Sequence, residues 1–477
     1  MLDIFKEQIK ESELHPKYKI IRDCLKYTGE QEVLKDWING FIDRDNKIVK
    51  QFQEDFHSAF WEFYLFVVFK EAGFEIDFTK NRPDFIVTKP QKIYIEAVVS
   101  NIKQNGIKEE ERTLEDILLM LKPVHLHKNF NDNLNESITR YSNSIESKYK
   151  KYNGYTDSKN KYKKGYIEDK DFDKSAPYII ALGGYEQINY GNNFYYAMLS
   201  LLYGLHYDNL NDKYSRKEFI LKPNTDSKIK LGLFLNDERK NISAIIFSST
   251  VTLGKLTSLS ISQNKSQLKL NSVLCMRHDT EPPYFKPQIV SPDSPEYLSD
   301  GLFIFHNPFA ENAISKDLFK NTNAINIHFD IDKGYLTFEG NNLPIVSRLN
   351  LFQGEHFFKN SISKIVESFN PNISFIFSEV LEINSYDDEN FEVLFIELDN
   401  KLEFTINFIK EKFQEYNIQE KQKFVITFLL HKDSAIHFKT TEQFEMYWKL
   451  CKKKCFYFGD DCTIIDIQQL EKANKSE

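Results

Sequence analysis

Arg82-Pro83-Asp84-Phe85-Ile86-Val87 and Lys92-Ile93-Tyr94-Ile95-Glu96-Ala97-Val98-Val99 flank Lys89-Pro90-Gln91 in the most apolar part of the chain. Read as strands over 83–88 and 92–99, they form a hairpin, because Pro90 cannot donate to a ladder and suits the turn. Centring the turn on Pro90 sets Asp84 opposite Glu96, where opposed Cβ atoms stand about 4.5–5.5 Å apart. Parity then puts Ile93, Ile95, Ala97 and Val99 on one face and Tyr94, Glu96 and Val98 on the other, with Asp84 and Ile86. Just upstream, residues 59–69 read Ala-Phe-Trp-Glu-Phe-Tyr-Leu-Phe-Val-Val-Phe, apolar but for Glu62. Three carboxylates thus stand among core-forming residues. Ionised groups there are costly unless neutralised, and a hard divalent cation such as Mg²⁺ turns their mutual repulsion into a binding site.

Blander readings exist for each acid. An exposed hairpin face with solubilising acids accounts for Asp84 and Glu96, and a one-residue slip sends Glu96 to the other face. Glu54, Ser58 and Glu62 recur at four-residue steps, so Glu62 can extend a solvated helix stripe. That stripe ends where Leu65 and Phe66 take over the next turn, which favours Glu62 as a ligand for metal or water.

The order of elements adds context: a helix over about 46–72 bearing Glu62, a strand over 74–78, the Pro83-Asp84 strand, the Glu96 strand, a helix over about 134–152 and a strand over 177–182. This order resembles the PD-(D/E)XK, or restriction endonuclease-like, nuclease superfamily. The resemblance covers roughly residues 45–205 and rests on ordered context more than on a short motif. It implies an α/β fold with a core of helix, three strands, helix and strand, and a Mg²⁺- or Mn²⁺-dependent endonuclease that hydrolyses phosphodiester bonds in nucleic acid, DNA in the first place. It further implies that Asp84, Glu96 and the Ala97 carbonyl hold the metal and that Glu62 holds a water or a second ion. A role in restriction or phage defence is likewise implied by the resemblance alone.

The chain departs from the family at Val98, where the family carries a lysine that stabilises charge on phosphate. Superfamily members relocate this lysine to the following helix. In the 134–152 helix, Leu134, Ile138, Tyr141, Ile145, Tyr149 and Tyr152 form a buried stripe at three-and-four spacing, with Ser137, Ser144 and Lys148 along its edge. Lys148 is the candidate for the displaced lysine; a surface lysine laying its stem on an apolar face is the alternative. Lys103, on the loop after Glu96, is a weaker substitute.

The net charge of −8 does not mark a nucleic-acid binder. Its distribution is more informative: residues 146–166 hold seven lysines against two acids, interleaved with five tyrosines. Lysines pair with phosphates and tyrosines stack on unpaired bases, whereas a solvated loop is the default for such composition. Arg140, Lys150, Lys151, Lys163 and Lys164 are the candidates for gripping the nucleic-acid backbone.

The 477 residues, with 41% hydrophobic content and 41 Phe, suffice for about three domains with real cores. The expected division is an N-terminal helical segment (1–45) whose 37–41 stretch packs on the core, the nuclease-like core (46–205) with an insertion at about 101–132 containing a helix over 113–120, a strand-rich extension (206–344) and a C-terminal α/β domain (349–477). In the last, strands over 373–381, 391–398 and 424–430 alternate with helices over 402–416 and 441–453; target reading, partner binding and oligomerisation all remain open for it. No membrane span or leader is read, and five irregularly spaced cysteines suit reduced thiols, so a cytoplasmic protein is expected. Cys451, Cys455 and Cys462 lack zinc-site spacing. His125 and His127 share one face if the segment is a strand. Asn307-Pro308 reads as a turn, and Gly254-Lys255 lacks the rest of a phosphate loop. The rival to the enzyme is a nuclease-fold module that has lost catalysis with its lysine and binds nucleic acid or a protein partner.

Overall fold

The computed structural model describes residues 2–352, apart from 24–26, 105, 112–115, 117–118, 121–122, 190, 193, 210, 212, 266–270 and 280–284, and beyond them the backbone of five strands between residues 373 and 469. Four helices come first: α1 (Pro16–Asp23), α2 (Thr28–Ile38), α3 (Ile48–Glu54) and α4 (His57–Glu71). A mixed sheet of eight strands follows, and its spatial order is the order of the chain: β1 (Glu75–Asp77), β2 (Phe85–Lys89), β3 (Ile93–Asn101), β4 (Tyr178–Tyr185), β5 (Ala244–Ser248), β6 (Phe303–His306), β7 (Ile325–Asp330) and β8 (Tyr335–Glu339). Strands β1 to β3 are antiparallel; β3, β4 and β5 run parallel to one another.

The parallel connections are where helices are needed, because parallel neighbours require a crossover. Helix α5 (Phe130–Asn153) lies between β3 and β4, and α6 (Tyr196–Tyr203) between β4 and β5. Both pack on one face of the sheet, over Ile86, Tyr94, Tyr178, Ile180, Leu182, Ile245 and Phe247. The opposite face carries Phe85, Val87, Ile93, Ile95, Ile179, Ala181 and Ile246 and is covered by α1 to α4 and by α7 (Leu253–Ser262). Alternation along the strands thus yields two cores from one sheet.

Helix α4 is the most apolar element. Phe60, Trp61, Phe63, Tyr64, Leu65, Val68 and Phe69 are wholly buried, between the sheet, where the Trp61 indole donates to the Ala181 carbonyl at 3.0 Å, and the N-terminal segment. There Trp37 lies 5.4 Å from Phe60 and 5.5 Å from Tyr64, and Phe41 meets Phe63 and Phe66 edge-on. The packing expected of residues 37–41 is observed.

Several expectations are corrected. The single helix over 46–72 is two, α3 and α4, broken at Phe56, whose φ of +31° no continuous helix accepts. Its ring, stacked on Phe60 and close to Phe52, offsets that conformation by burial. Glu54 and Glu62 therefore do not share one helical stripe. His125 sits in a 3-10 turn (Val124–Leu126), not a strand. Most of the helix read at 113–120 lies outside the described residues. Residues 349–352 belong to a strand, Ile345–Phe352, that pairs back with Asn271–His278. Further on, five strands form an antiparallel sheet of their own, and Asn400–Thr405 is one of them, where a helix had been expected to begin. The helix read at 441–453, with Cys451 and Cys455, lies outside the described residues. Among the described residues no helix is long and apolar enough to cross a membrane.

Lys255 of α7, whose setting hinted at a phosphate loop, is used up structurally. Fully buried, its ammonium donates to Glu296 Oε1 at 2.5 Å and to the Tyr297 and Asp300 carbonyls at 2.9 Å. Arg348 grips the same carboxylate from the 345–352 strand, with Nε 2.7 Å from Oε2. Burial pushes Glu296 up, but Arg348 and Lys255 outweigh it and hold the carboxyl at about 2. Asn307 forms the expected turn, accepting from the Phe309 N–H at 2.9 Å.

Removing the shared anion leaves two buried cations without it. Glu296→Ala is expected to cost about 3–5 kcal/mol in urea denaturation; a loss below about 1 kcal/mol would show that water reaches the cations.

Candidate active site

The β2–β3 hairpin has the register read from the sequence. Phe85 pairs with Ile95, Ile86 with Tyr94 and Val87 with Ile93, without a bulge. Asp84 stands one residue before β2, so β3 runs on past its partner. In place of a ladder bond, the Ala97 N–H donates to Asp84 Oδ2 at 2.7 Å. N–H and C=O of one strand residue point to the same edge, so the Ala97 carbonyl faces Asp84 as well.

Glu96, only 2% exposed at its side chain, is held at both oxygens. Lys148 of α5 donates to Oε2 at 2.6 Å, and the Tyr166 hydroxyl donates to Oε1 at 2.7 Å. The same ammonium stands 3.5 Å from Asp84 Oδ2. One lysine thus bridges the two acids, from the helix edge where the three-and-four spacing places it. The Tyr178 hydroxyl bonds the Lys148 carbonyl at 3.2 Å and fixes that turn of α5 to β4.

Glu62 on α4 lies within electrostatic reach of Asp84, Glu96 and Lys148 and has no hydrogen-bond partner among the described residues. Half-buried, it loses part of its hydration, and Asp84 adds like charge; together they push its carboxyl up to about 8 against the pull of Lys148 and Arg44. For Lys148, burial pushes down, but Glu96 and Asp84 outweigh it and hold the ammonium well above the usual lysine range. Burial and Asp84 raise Glu96, while Lys148 and Tyr166 pull it back. Burial and Asp84 win, and the Glu96 carboxyl stands above its usual range even with Lys148 at 2.6 Å.

Two contributors were not read as such in the sequence. Arg44 donates to the Lys80, Pro83 and Asp84 carbonyls at 2.5, 3.2 and 2.6 Å, fixing the loop that delivers Asp84. Tyr166 was one of five tyrosines in a basic run. Among the lysine candidates, Lys150, Lys151, Lys163 and Lys164 are exposed; Lys163 is 3.8 Å from Asp157 and Lys164 3.0 Å from Asp169. Arg140 is half-buried, two turns before Lys148. Lys103 pairs with Glu136 at 3.0 Å and does not join the cluster, and Val98 is half-buried on the α5 face. Of the five tyrosines, Tyr152 and Tyr166 are buried and Tyr149 bonds the Glu238 carbonyl, which leaves Tyr155 and Tyr162 in solvent.

Among the described residues, no three His, Cys, Asp or Glu side chains are arranged to hold a metal ion. Lys148 occupies the space between the two carboxylates that an ion would share. The oxygens at hand are of the hard kind: the Asp84 and Glu96 carboxylates and, on the same strand edge, the Ala97 carbonyl. Comparison with protein-family models, with curated proteins and with solved structures finds no match for this chain.

Glu62 gives the site a pH signature. Its folded pKa lies above that of the unfolded chain, so between about pH 5 and pH 8 the folded state holds the extra proton and stability falls as pH rises. In EDTA, Glu62→Gln should exceed wild type by about 1–2 kcal/mol at about pH 8.5 and match it near pH 5. Parallel urea-denaturation profiles across that range would place an ordinary carboxylate at position 62.

Proposed function

We propose that this chain is a metal-dependent phosphodiester hydrolase acting on nucleic acid, with a restriction endonuclease-like core formed by α4, β1 to β3, α5 and β4. The observation that carries the reading is the reach of Lys148. A lysine from the helix after β3 arrives within 2.6 Å of Glu96 and 3.5 Å of Asp84, so the cation missing at Val98 is supplied from elsewhere in space.

In this reading Asp84, Glu96 and the Ala97 carbonyl hold Mg²⁺ or Mn²⁺, which when bound lowers the pKa of a water and polarises the scissile phosphate. Asp84, 28% exposed at its side chain, offers its oxygens from the solvent side. Tyr166 keeps Glu96 in one orientation, which spares the site reorganisation during reaction. Lys148 offsets the negative charge that develops on phosphate, and Glu62 holds a water at the rim. DNA as the preferred substrate, service in restriction or phage defence and a cytoplasmic setting follow from the resemblance. An oligomer or partner protein engaged through residues 349–477 belongs to the same reading.

The second reading is a binding module without catalysis. It draws on the same ion pair, since Lys148 already neutralises both acids.

Plasmid nicking separates the two. Wild type should nick supercoiled DNA in Mg²⁺ or Mn²⁺ and not in EDTA, and Asp84→Ala and Lys148→Ala should each lose at least about a hundredfold. Calorimetry should show metal binding that Glu96→Ala abolishes. No cleavage with either ion, together with no metal-binding heat from wild type, would overturn the hydrolase and support the binding module.

A further inference from the structure

Between the end of α5 at Asn153 and Tyr166 runs a short hairpin hung on the candidate site at both ends. One end is α5, which carries Lys148; the other is Tyr166, bonded to Glu96 at 2.7 Å. Tyr155–Thr156 pairs with Tyr162–Lys163, with Tyr155 opposite Lys163 and Thr156 opposite Tyr162. Opposed residues share a face, so the two exposed tyrosines point to different sides. The Tyr162 hydroxyl is tied down by Glu168 Oε1 at 2.5 Å. Tyr155 is 36% exposed, forms no hydrogen bond through its hydroxyl among the described residues, and shares its face with Lys163. Around it Lys150, Lys151, Lys159 and Lys161 are exposed and make no ion pair among the described residues.

An aromatic ring about a third open to water, with exposed lysines near it in the chain, is suited to a partner that brings both a π-face and phosphates. A duplex hides its base faces within its own stack; an unpaired strand presents them. Tyr155 follows Lys148 by seven residues, most of them helical, which places its ring on the order of 10–15 Å from the acid–lysine cluster.

We propose that this hairpin holds an unpaired stretch of the nucleic-acid strand beside the site, with one base stacked on Tyr155 and the neighbouring phosphates on Lys150, Lys151 and Lys163. Tyr162 fixes the hairpin instead of contacting the strand. This use of the hairpin presupposes the nucleic-acid substrate proposed above, but not hydrolysis.

The test is fluorescence anisotropy in EDTA with a labelled oligothymidylate and a labelled duplex of equal length, using the full chain. Tyr155→Ala should weaken binding of the single strand about tenfold and of the duplex less than about twofold, while Tyr155→Phe, which keeps the ring, binds as wild type does. Lys150→Ala/Lys151→Ala should weaken both probes and make the logarithmic salt slope shallower by about 1–2. Equal losses on both probes with Tyr155→Ala, no loss on either, or no binding of oligothymidylate by wild type would overturn the proposal. Melting curves confirm that each variant is folded. Because no metal is present, the two proposals fail separately: a wild type that never nicks plasmid yet binds single strand through Tyr155 refutes the hydrolase alone. A nicking wild type indifferent to Tyr155 refutes the hairpin alone.

Discussion

One buried ammonium group keeps Asp84 and Glu96 together. Two carboxylates this close repel in a setting of low dielectric, and Lys148 turns that repulsion into attraction from a helix on the far side of a crossover. The arrangement demands that α5 be long enough to carry Lys148 over β3, that β4 lie beside β3 to anchor it, and that β2 stop short so that Asp84 meets the Ala97 N–H. The rest of the fold secures those conditions. The apolar helix α4 pins the opposite face of the sheet, and Arg44 holds the loop that sets where β2 begins.

The hairpin and its helix were readable from the sequence for local reasons. Register follows from a proline turn and strict alternation, both contained within about twenty residues, and the pairs Phe85–Ile95 and Ile86–Tyr94 follow from them. Lys148 was readable because helical spacing fixes which side chains flank a buried stripe. The break at Phe56 was not, since it depends on aromatic neighbours 4 residues to either side, Phe52 and Phe60, that compensate an unfavourable backbone only after the core has formed. Arg44 and Tyr166 escaped notice because their partners lie 40 and 70 residues away, and no periodicity marks a contact of that kind. The strand at 400–405 reads as helix because its apolar residues fit both periods over so short a run.

The eight-stranded sheet grows in chain order from one edge to the other. Its candidate site lies near the edge that comes first in the chain, among β2, β3 and β4, while the Lys255–Glu296–Arg348 cluster lies with the later segments. Cations are spent differently in the two places. At Glu296 two of them satisfy one carboxylate completely, and the group is structural. At Lys148 one cation serves two carboxylates while a third, Glu62, makes do with more distant charge, and its carboxyl is raised in consequence.

The unequal exposure of the two acids gives the cluster a direction. Glu96 is sealed by Lys148 above and Tyr166 beside it, whereas Asp84 keeps 28% of its side chain open to solvent. A species arriving from bulk water meets the outer carboxylate first and reaches the inner one only by displacing or sharing the lysine. For the proposed hydrolase, capture and commitment would thereby be separate events, with the ease with which Lys148 yields its place setting the threshold between them.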